Sequence, residues 1–288
     1  MLLLNASGCL DALTAPEVAR ALDVFVTKTV TPLARGGNEP VRIAETDVGM
    51  LNSIGLANPG IDRFLAETLP ALEQLGMPLW VSVGGFSAPD YALMCRELDG
   101  APIEAIELNL SCPNVEAPHE SARELVAAAR AATAKPLFAK LSPMDADVAA
   151  TACAAQEAGA DGLSLVNTIR GLAFDARTLQ PVLARAVGGL SGPALKPIAL
   201  AAVYACRRVT ELPIVGMGGV QSGRDALELL AAGATHVALG TVLFADPQAP
   251  ARVRAELAAE AALSGRTDLV DVDENMFSHK KSPAFGLK

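Results

Sequence analysis

The chain has 288 residues, 51% of them hydrophobic, and a formal net charge of -9. This length can bury a large core, and a barrel of this size would form one domain. The excess of acidic over basic residues, 32 against 23 with no basic run, excludes a nucleic-acid backbone as ligand and favours a small-molecule enzyme.

The five cysteines and the N-terminus indicate where the protein works. The cysteines form an odd set without CxxC spacing, which predicts neither a disulfide framework nor a metal cluster and favours a reducing compartment. The N-terminal MLLLNASG is too short an apolar run for a signal peptide, and no run approaches the ~18 residues of a membrane span. We therefore expect a cytoplasmic protein that neither enters a membrane nor binds nucleic acid.

Short apolar runs alternate with amphipathic, Ala/Leu-rich segments along the chain, as expected of repeated βα units. Strands are predicted at 2–5, 24–27, 79–83, 103–109, 137–141, 162–166, 214–216 and 236–239. Helices are predicted near 16–22, 61–75, 88–98, 120–133, 145–158, 193–209, 222–232 and 247–263. Eight strands close a (β/α)8 TIM barrel, so we predict a single α/β domain over 1–265 and a C-terminal tail of unknown role over 266–288.

Local signals mark where helices begin and end. Pro193, Ser222 and the pair Asp246-Pro247 predict helix starts, and Ala-Gly-Ala at 158–160 and 232–234 predicts a C-capping glycine before a strand. A doubly wound open sheet is the competing architecture. It would need a glycine fingerprint after the first strand, where the chain has Asn5-Ala6-Ser7-Gly8.

Polar or glycine residues follow each predicted strand, at the barrel face where ligands bind. They are Ser7-Gly8, Lys28-Thr29, Ser82, Asn109, Lys140, Asn167-Thr168, Gly218-Gly219 and Gly240-Thr241. The glycines after the last two strands predict a phosphate site, because glycine leaves backbone N–H groups uncovered. The two lysines end apolar runs, where a cation costs desolvation unless an anion or polar ring meets it; the alternative for each is a snorkelling surface lysine.

The segment 107–114 ends an apolar run with two amides and a thiol, Asn109, Asn114 and Cys112. A thiol can act as a general base toward a carbon acid, and carboxamides can hold a planar polar ring. A lone cysteine is more often a buried thiol in a polar turn. The polar strand ends elsewhere in the chain favour the active-site interpretation.

These motifs resemble the class 1 dihydroorotate dehydrogenases, flavin enzymes of pyrimidine synthesis, from about residue 5 to residue 247. The matching segments are 6–9, 26–29, 49–60, 109–114 and 216–220, and two more, 166–168 and 189–197, look like class 1B rather than the fumarate-reducing class 1A. The resemblance implies FMN contacts at Ser7, Lys28, Thr29, Asn109, Lys140, Val166, Gly192, Gly218, Gly219, Gly240 and Thr241. It implies substrate contacts at Lys28, Asn52, Ser53, Ile54, Gly55, Leu56, Asn109, Asn167 and Thr168.

The implied reaction is oxidation of (S)-dihydroorotate to orotate, in which Cys112 takes a proton from C5 while a hydride leaves C6 for flavin N5. The resemblance implies that Lys28 is the second catalytic residue. The resemblance also implies a homodimer and, for class 1B, an electron-transfer subunit with FAD and an iron–sulfur cluster that passes electrons to NAD. Fumarate is the alternative acceptor.

Three features depart from the family pattern. The N-terminal hairpin that usually closes the barrel bottom has no counterpart before the strand that starts at residue 2, and the lid segment after Cys112 is shorter and lacks its glycine-rich stretch. Ser82 stands where an asparagine often faces the flavin. Two alternatives therefore stay open: an FMN barrel enzyme for another reduced pyrimidine such as dihydrouracil, and a flavin-binding protein without turnover.

Overall fold

Eight parallel strands form the centre of the molecule in the computed structural model, which describes residues 1–110 and 121–270. All eight predicted strands are confirmed, with ends that differ by no more than two residues. Their order around the sheet is β1, β12, β11, β8, β7, β6, β5, β2. The bounds are β1 Leu3–Asn5, β2 Phe25–Val26, β5 Leu79–Val83, β6 Ala105–Asn109, β7 Leu137–Leu141, β8 Gly162–Leu165, β11 Ile214–Met217 and β12 His236–Leu239.

A buried side chain completes the seam between β1 and β2. Leu4 and Val24 form an isolated parallel bridge, and β2 is only two residues long. The fully buried Asn5 amide donates to the Val26 carbonyl oxygen at 2.7 Å and accepts from the Val26 N–H at 2.8 Å. The amide thus replaces a missing pair of ladder hydrogen bonds. The predicted (β/α)8 barrel is confirmed, and the doubly wound alternative is wrong.

The barrel interior is packed with side chains. Trp80 and Phe138 lie with ring centroids 4.3 Å apart, among Leu4, Val215 and Met217. A second and larger core lies between the strands and the helices. Because the interior is filled, a ligand must bind at the strand ends.

Helices follow the barrel strands in the expected alternation. The predicted segment near 61–75 is one helical run with a π-helical turn, Phe64–Thr68, between α2 and α3. The predicted start at Asp246-Pro247 is wrong: Asp246 instead accepts from the Gln248 N–H and from Arg252, and the helix begins at Ala249. The bounds are α1 Pro16–Arg20, α2 Ile61–Arg63, α3 Leu69–Glu73, α4 Ala88–Asp99, α5 Ala122–Arg130, α6 Val148–Glu157, α7 Lys196–Arg207, α8 Gly223–Ala232, α9 Val242–Ala245 and α10 Ala249–Ser264, with a 3-10 turn Pro193–Leu195 before α7.

The predicted glycine caps and the predicted Ser222 cap are present in the structure. Gly159 and Gly233 both have left-handed φ angles, +102° and +115°, and each lies three residues before a strand. Ser222 accepts from the Asp225 N–H, and the Asp225 carboxylate accepts from the Ser222 N–H, which is a capping box. α8 is therefore closed at both ends by local sequence.

Replacing Ser222 with alanine should lower the free energy of unfolding by about 1 kcal/mol, because the Asp225 N–H loses its acceptor. Urea titration followed by circular dichroism measures this. Ser87→Ala is the matched control, since Ser87 is the N-cap of α4 without a side-chain cap bond. Equal losses in the two variants would contradict the capping role of Ser222.

A second, four-stranded antiparallel sheet was not predicted. Its order is β3, β4, β10, β9, and it joins the segment after β2 to the segment after β8. Asn52 pairs with Gly189, and Met50 pairs with Ser191. Short strands interrupted by glycine give a weak sequence signal. The bounds are β3 Ile43–Thr46, β4 Gly49–Asn52, β9 Ile169–Leu172 and β10 Val187–Ser191.

The chain beyond α10 continues as a 3-10 turn, Thr267–Leu269, and Leu269 and Val270 pack against the core. The rest of the predicted tail, residues 271–288, lies outside the described residues. In the described part of the chain, no helix is long and apolar enough to cross a bilayer.

Candidate active site

Two adjoining cavities open at the carboxyl ends of the barrel strands. The larger has a volume of about 430 Å³, a size usual for a small-molecule site, and the smaller has about 200 Å³. Walls common to both cavities come from the segment after β1, β7, the segment after β8, α9 and the small sheet. The shared residues are Ser7, Cys9, Met50, Lys140, Asn167, Thr168, Ser191 and Phe244.

The structure brings nearly all of the predicted site residues to these walls. The larger cavity is lined by the predicted cofactor residues Ser7, Lys140, Val166, Gly192, Gly218, Gly219, Gly240 and Thr241. The smaller is lined by Lys28, Thr29, Asn52, Ile54, Gly55, Leu56, Asn109, Asn167 and Thr168. Ser53 lies behind the wall: it is 2% exposed, and its hydroxyl accepts from Asn38 at 2.9 Å. Its side chain therefore supports the 52–56 loop.

Glycines and hydroxyls form one end of the larger cavity. Thr241 Oγ1 donates to Ser191 Oγ at 2.8 Å, beside Gly240. Gly219 has φ +76°, and a Cβ there would lie 2.7 Å from the backbone nitrogen of Lys196, so this position requires glycine. A Cβ on Gly240 would meet only Ala6 and Cys9, at 3.6 and 3.7 Å. This end of the larger cavity is suited to an anionic group that accepts hydrogen bonds from hydroxyls and backbone N–H groups.

A chain of hydrogen bonds runs beneath the smaller cavity. Ser82 and Thr29 share a bond of 3.0 Å between their hydroxyls. Asn109 Nδ2 donates to Thr29 Oγ1 at 3.1 Å, and Asn167 Nδ2 donates to Asn109 Oδ1 at 3.2 Å. Each amide is thereby fixed in orientation by its neighbours. Ser82, considered from sequence as a flavin contact, orients Thr29 in this structure.

The two lysines occupy different environments. Lys140 is 4% exposed, donates to Ser7 Oγ at 2.9 Å, and lies 3.4 Å from a Glu107 carboxylate oxygen. Lys28 is exposed at the mouth of the smaller cavity. The expected desolvation therefore holds for Lys140 and is wrong for Lys28. Each ammonium group is placed where it can meet an anionic ligand at the strand ends.

The loop 52–56 takes its shape from contacts on both sides. Asn52 Nδ2 donates to the Gly189 carbonyl oxygen at 3.2 Å, and Arg35 Nε donates to the Gly55 carbonyl oxygen at 3.3 Å. Leu56 has φ +57°, a strained conformation for a leucine. Such strain persists where surrounding contacts impose it, commonly at binding sites.

Cys112 and Asn114, with the segment expected from sequence to form a lid, lie outside the described residues. The chain just before them is held firmly. The hydroxyl of Tyr91, fully buried, donates to the Asn109 carbonyl oxygen at 2.7 Å. The end of β6 therefore has a fixed position from which the 111–120 segment begins.

Several wall or near-wall residues were not predicted as site residues. Met50 and Ser191 belong to the small sheet, which was itself not predicted. Cys9 lines the cavities, and burial raises the pKa of its thiol, while Lys140 and Lys28 act in the opposite direction. Glu107 could have been found: a carboxylate inside the apolar run 103–108 is a sequence signal for a buried partner.

The chain matches the family model described as dihydroorotate dehydrogenase over residues 2–260. It is 41% identical over 283 residues to the dihydroorotate dehydrogenase B (NAD(+)) catalytic subunit of Listeria monocytogenes, covering 94% of this chain and 92% of the relative. It is 43% identical over 270 residues to the protein of that name from Anoxybacillus flavithermus, covering 89% and 86%.

A solved structure of DHODH from Eimeria tenella, in complex with ferulenol, superposes with a TM-score of 0.78. It is 23% identical in sequence, and the match covers 93% of this chain and 83% of that one. The likeness supports the same barrel fold.

Proposed function

We infer that this chain, which belongs to the dihydroorotate dehydrogenase family, oxidises (S)-dihydroorotate to orotate in pyrimidine biosynthesis as an FMN-containing catalytic subunit of class 1B. The observation that carries this inference is the paired geometry of the cavities. A small cavity with fixed amides and Lys28 adjoins a larger one with glycines and hydroxyls at its end.

The residues present fit FMN. The glycine and hydroxyl end provides hydrogen-bond donors for a phosphate, and the buried Lys140 provides a cation for the ring. When bound, FMN accepts the hydride that leaves C6 of dihydroorotate. We propose Ser7, Lys28, Thr29, Asn109, Lys140, Val166, Gly192, Gly218, Gly219, Gly240 and Thr241 as its contacts.

This chain's own groups would hold the pyrimidine and move its proton. Asn109 and Asn167, linked at 3.2 Å, can present amide donors and acceptors to the polar edges of the ring. Lys28 at the mouth is placed to meet the substrate carboxylate, and Cys112 would accept the proton from C5. We also propose substrate contacts from Thr168 and the loop 52–56.

Anaerobic mixing of the purified, FMN-loaded protein with (S)-dihydroorotate tests the function directly. We expect the flavin absorbance to bleach and orotate to form in equal amount. Dihydrouracil is the matched competitor because it lacks the carboxylate, and bleaching by dihydrouracil alone would support the other reduced-pyrimidine enzyme. Bound FMN that neither compound reduces would support flavin binding without turnover.

Replacing Gly240 with valine should weaken FMN binding with little loss of stability. A Cβ at this position meets only ordinary contacts, so the larger side chain would extend into the cavity space proposed for the phosphate. Overpacking typically costs about 1–3 kcal/mol, or roughly a 5- to 150-fold weaker Kd for FMN. Fluorescence titration of the apoprotein measures it.

Gly219→Val is a contrasting variant. Its Cβ would collide with the Lys196 backbone, so we expect this change to lower stability as well as FMN binding. Unchanged FMN affinity in Gly240→Val, with the fold intact, would contradict the phosphate assignment.

We further propose an electron-transfer subunit with FAD and an iron–sulfur cluster, through which NAD is reduced. The relatives named catalytic subunits support a partner. A third cavity, about 600 Å³ and largely apolar, shares Gly8, Cys9, Lys28 and Phe244 with the site cavities. Leu13 and Phe244 line it and are 45% and 53% exposed, an apolar surface beside the flavin site that suits docking.

Leu13→Arg should therefore impair NAD reduction by the assembled enzyme by about tenfold or more while leaving flavin reduction by dihydroorotate unchanged, because a charge would enter the docking surface. NADH formation measured with the cognate partner gives the first rate, and stopped-flow bleaching gives the second. Leu263→Arg, on α10 and 84% exposed, is the control. Normal NAD reduction in Leu13→Arg would place the partner elsewhere.

We also propose that the chain forms a homodimer through its small sheet. Ile43 and Leu172 of this sheet are 44% and 47% exposed, and Phe174 and Leu179, which follow β9, are 56% and 72% exposed. Exposed apolar side chains of this kind favour association. Sedimentation of wild type and of Phe174→Glu compares the masses, and an unchanged dimer in the variant would count against this surface.

A further inference from the structure

Glu107 is a carboxylate inside the barrel wall. It lies on β6 and is 1% exposed, with Ser82 and Phe138 as its register neighbours on the adjacent strands. Its carboxylate oxygen lies 3.4 Å from Lys140 Nζ, and both side chains are at least 95% buried. Burying such a pair costs desolvation that its attraction offsets only in part, so stability alone does not explain it.

The position of Glu107 puts it behind the site wall. Asn109, two residues further along β6, pairs with Lys140 and faces the smaller cavity. Lys140 lines both cavities, and its ammonium group also reaches Ser7. Glu107 can therefore act on a ligand through Lys140 without contacting the ligand itself.

The charges here act on one small volume. Burial is the main cause of the raised pKa of the Cys9 thiol. Lys140 and Lys28 lower this pKa, and Glu107 raises it. Two cations and one anion meet at the strand ends, so Glu107 offsets part of the positive charge around the cavities. Removing its charge would make the site more positive and would favour a bound group that gains negative charge.

We propose that Glu107 is a positioning residue that holds Lys140 at the flavin edge and, by offsetting its charge, lowers the midpoint potential of the bound flavin. This rests on the proposed function, because it requires FMN in the cavities. A lower potential makes the reduced flavin a stronger reductant. That favours delivery of electrons to a weakly oxidising acceptor such as a nicotinamide.

Two variants with opposite expected shifts test the proposal. Glu107→Gln keeps an oxygen acceptor for Lys140 and removes the negative charge, whereas Lys140→Gln removes the positive charge. The midpoint potential is measured by dye equilibration of the FMN-loaded protein, without dihydroorotate. We expect the preference for reduced over oxidised flavin to be roughly tenfold greater in Glu107→Gln than in wild type. This raises the midpoint potential by about 30 mV for a two-electron couple.

Lys140→Gln should lower the potential, and the double variant should lie between the two single variants. A disturbed fold would shift both single variants in the same direction, so opposite signs identify the charge. An unchanged potential in FMN-loaded Glu107→Gln, or a shift of the same sign in both, would overturn the proposal. Wild-type protein that holds no FMN would instead overturn the proposed function.

If Glu107→Gln fails to fold or to retain FMN, the double variant provides the test instead. It removes both members of the buried pair, so no unpaired buried charge remains. We then expect its potential to exceed that of Lys140→Gln by the same roughly tenfold preference. Equal potentials in the double variant and Lys140→Gln would overturn the proposal.

Discussion

Cys112→Ser is expected to slow reduction of the flavin by dihydroorotate by roughly two to four decades while FMN and orotate still bind. A thiol with a pKa near ~8.5 ionises far more readily than a serine hydroxyl, so the variant loses its base but little volume. Anaerobic stopped-flow bleaching measures the rate. The remaining rate should rise toward high pH, because hydroxide in solution or an ionised serine then removes the C5 proton.

Cys9→Ser is the control for Cys112→Ser, because Cys9 lines both cavities. Burial raises the pKa of the Cys9 thiol and so disfavours the thiolate form that a base requires. We expect Cys9→Ser to remain within a few-fold of wild type, as small isosteric changes usually do. Equal losses in both variants, or none in Cys112→Ser, would remove Cys112 from the role of base.

Lys28→Ala should slow flavin reduction by about two to three decades and weaken orotate binding. The ammonium at the cavity mouth is expected to meet the substrate carboxylate and the charge that develops on the flavin, and loss of such a contact typically costs about 2–4 kcal/mol. Because Lys28 is exposed, its removal should leave the fold intact. Single-turnover kinetics and an orotate titration give the two effects.

Lys135→Ala is a suitable control for this lysine. Lys135 precedes β7 and donates to the Ile103 carbonyl oxygen at 3.2 Å, at the end of the barrel opposite the strand termini that carry the cavities. We expect normal flavin reduction in this variant. If Lys28→Ala behaves in the same way, Lys28 lies outside the reacting site.

The barrel could be predicted because its strands are mostly apolar and are buried on both faces. β5 and β7, for example, are buried at every position and were predicted with their observed bounds. The predicted residues at the strand ends followed from the same argument, since the fold determines which ends of the strands carry the ligand. Asn109 and Lys140 are predicted in this way and lie side by side in the ladder. The loop 52–56 and Gly192 were instead implied by the family resemblance.

What sequence could not supply depends on contacts between distant segments. β4 and β10 contain glycines and become a sheet only through each other, which no local pattern encodes. The difference in burial between Lys28 and Lys140 also depends on contacts between distant segments. Both end apolar runs, but Lys140 is enclosed with Glu107 from the neighbouring strand, whereas Lys28 faces the open mouth.

The pairing of β4 with β10 also has a consequence for the order of folding. Asn52 donates to the Gly189 carbonyl oxygen, 137 residues later in the chain. At a synthesis rate of about 5–20 residues per second, the supporting strand is synthesised roughly 7 to 27 s after the 52–56 loop. A nascent chain can therefore complete most of its barrel strands while the proposed pyrimidine site is still unformed. Truncation before β10 would leave much of the barrel sequence, but the 52–56 loop would lack its supporting strand.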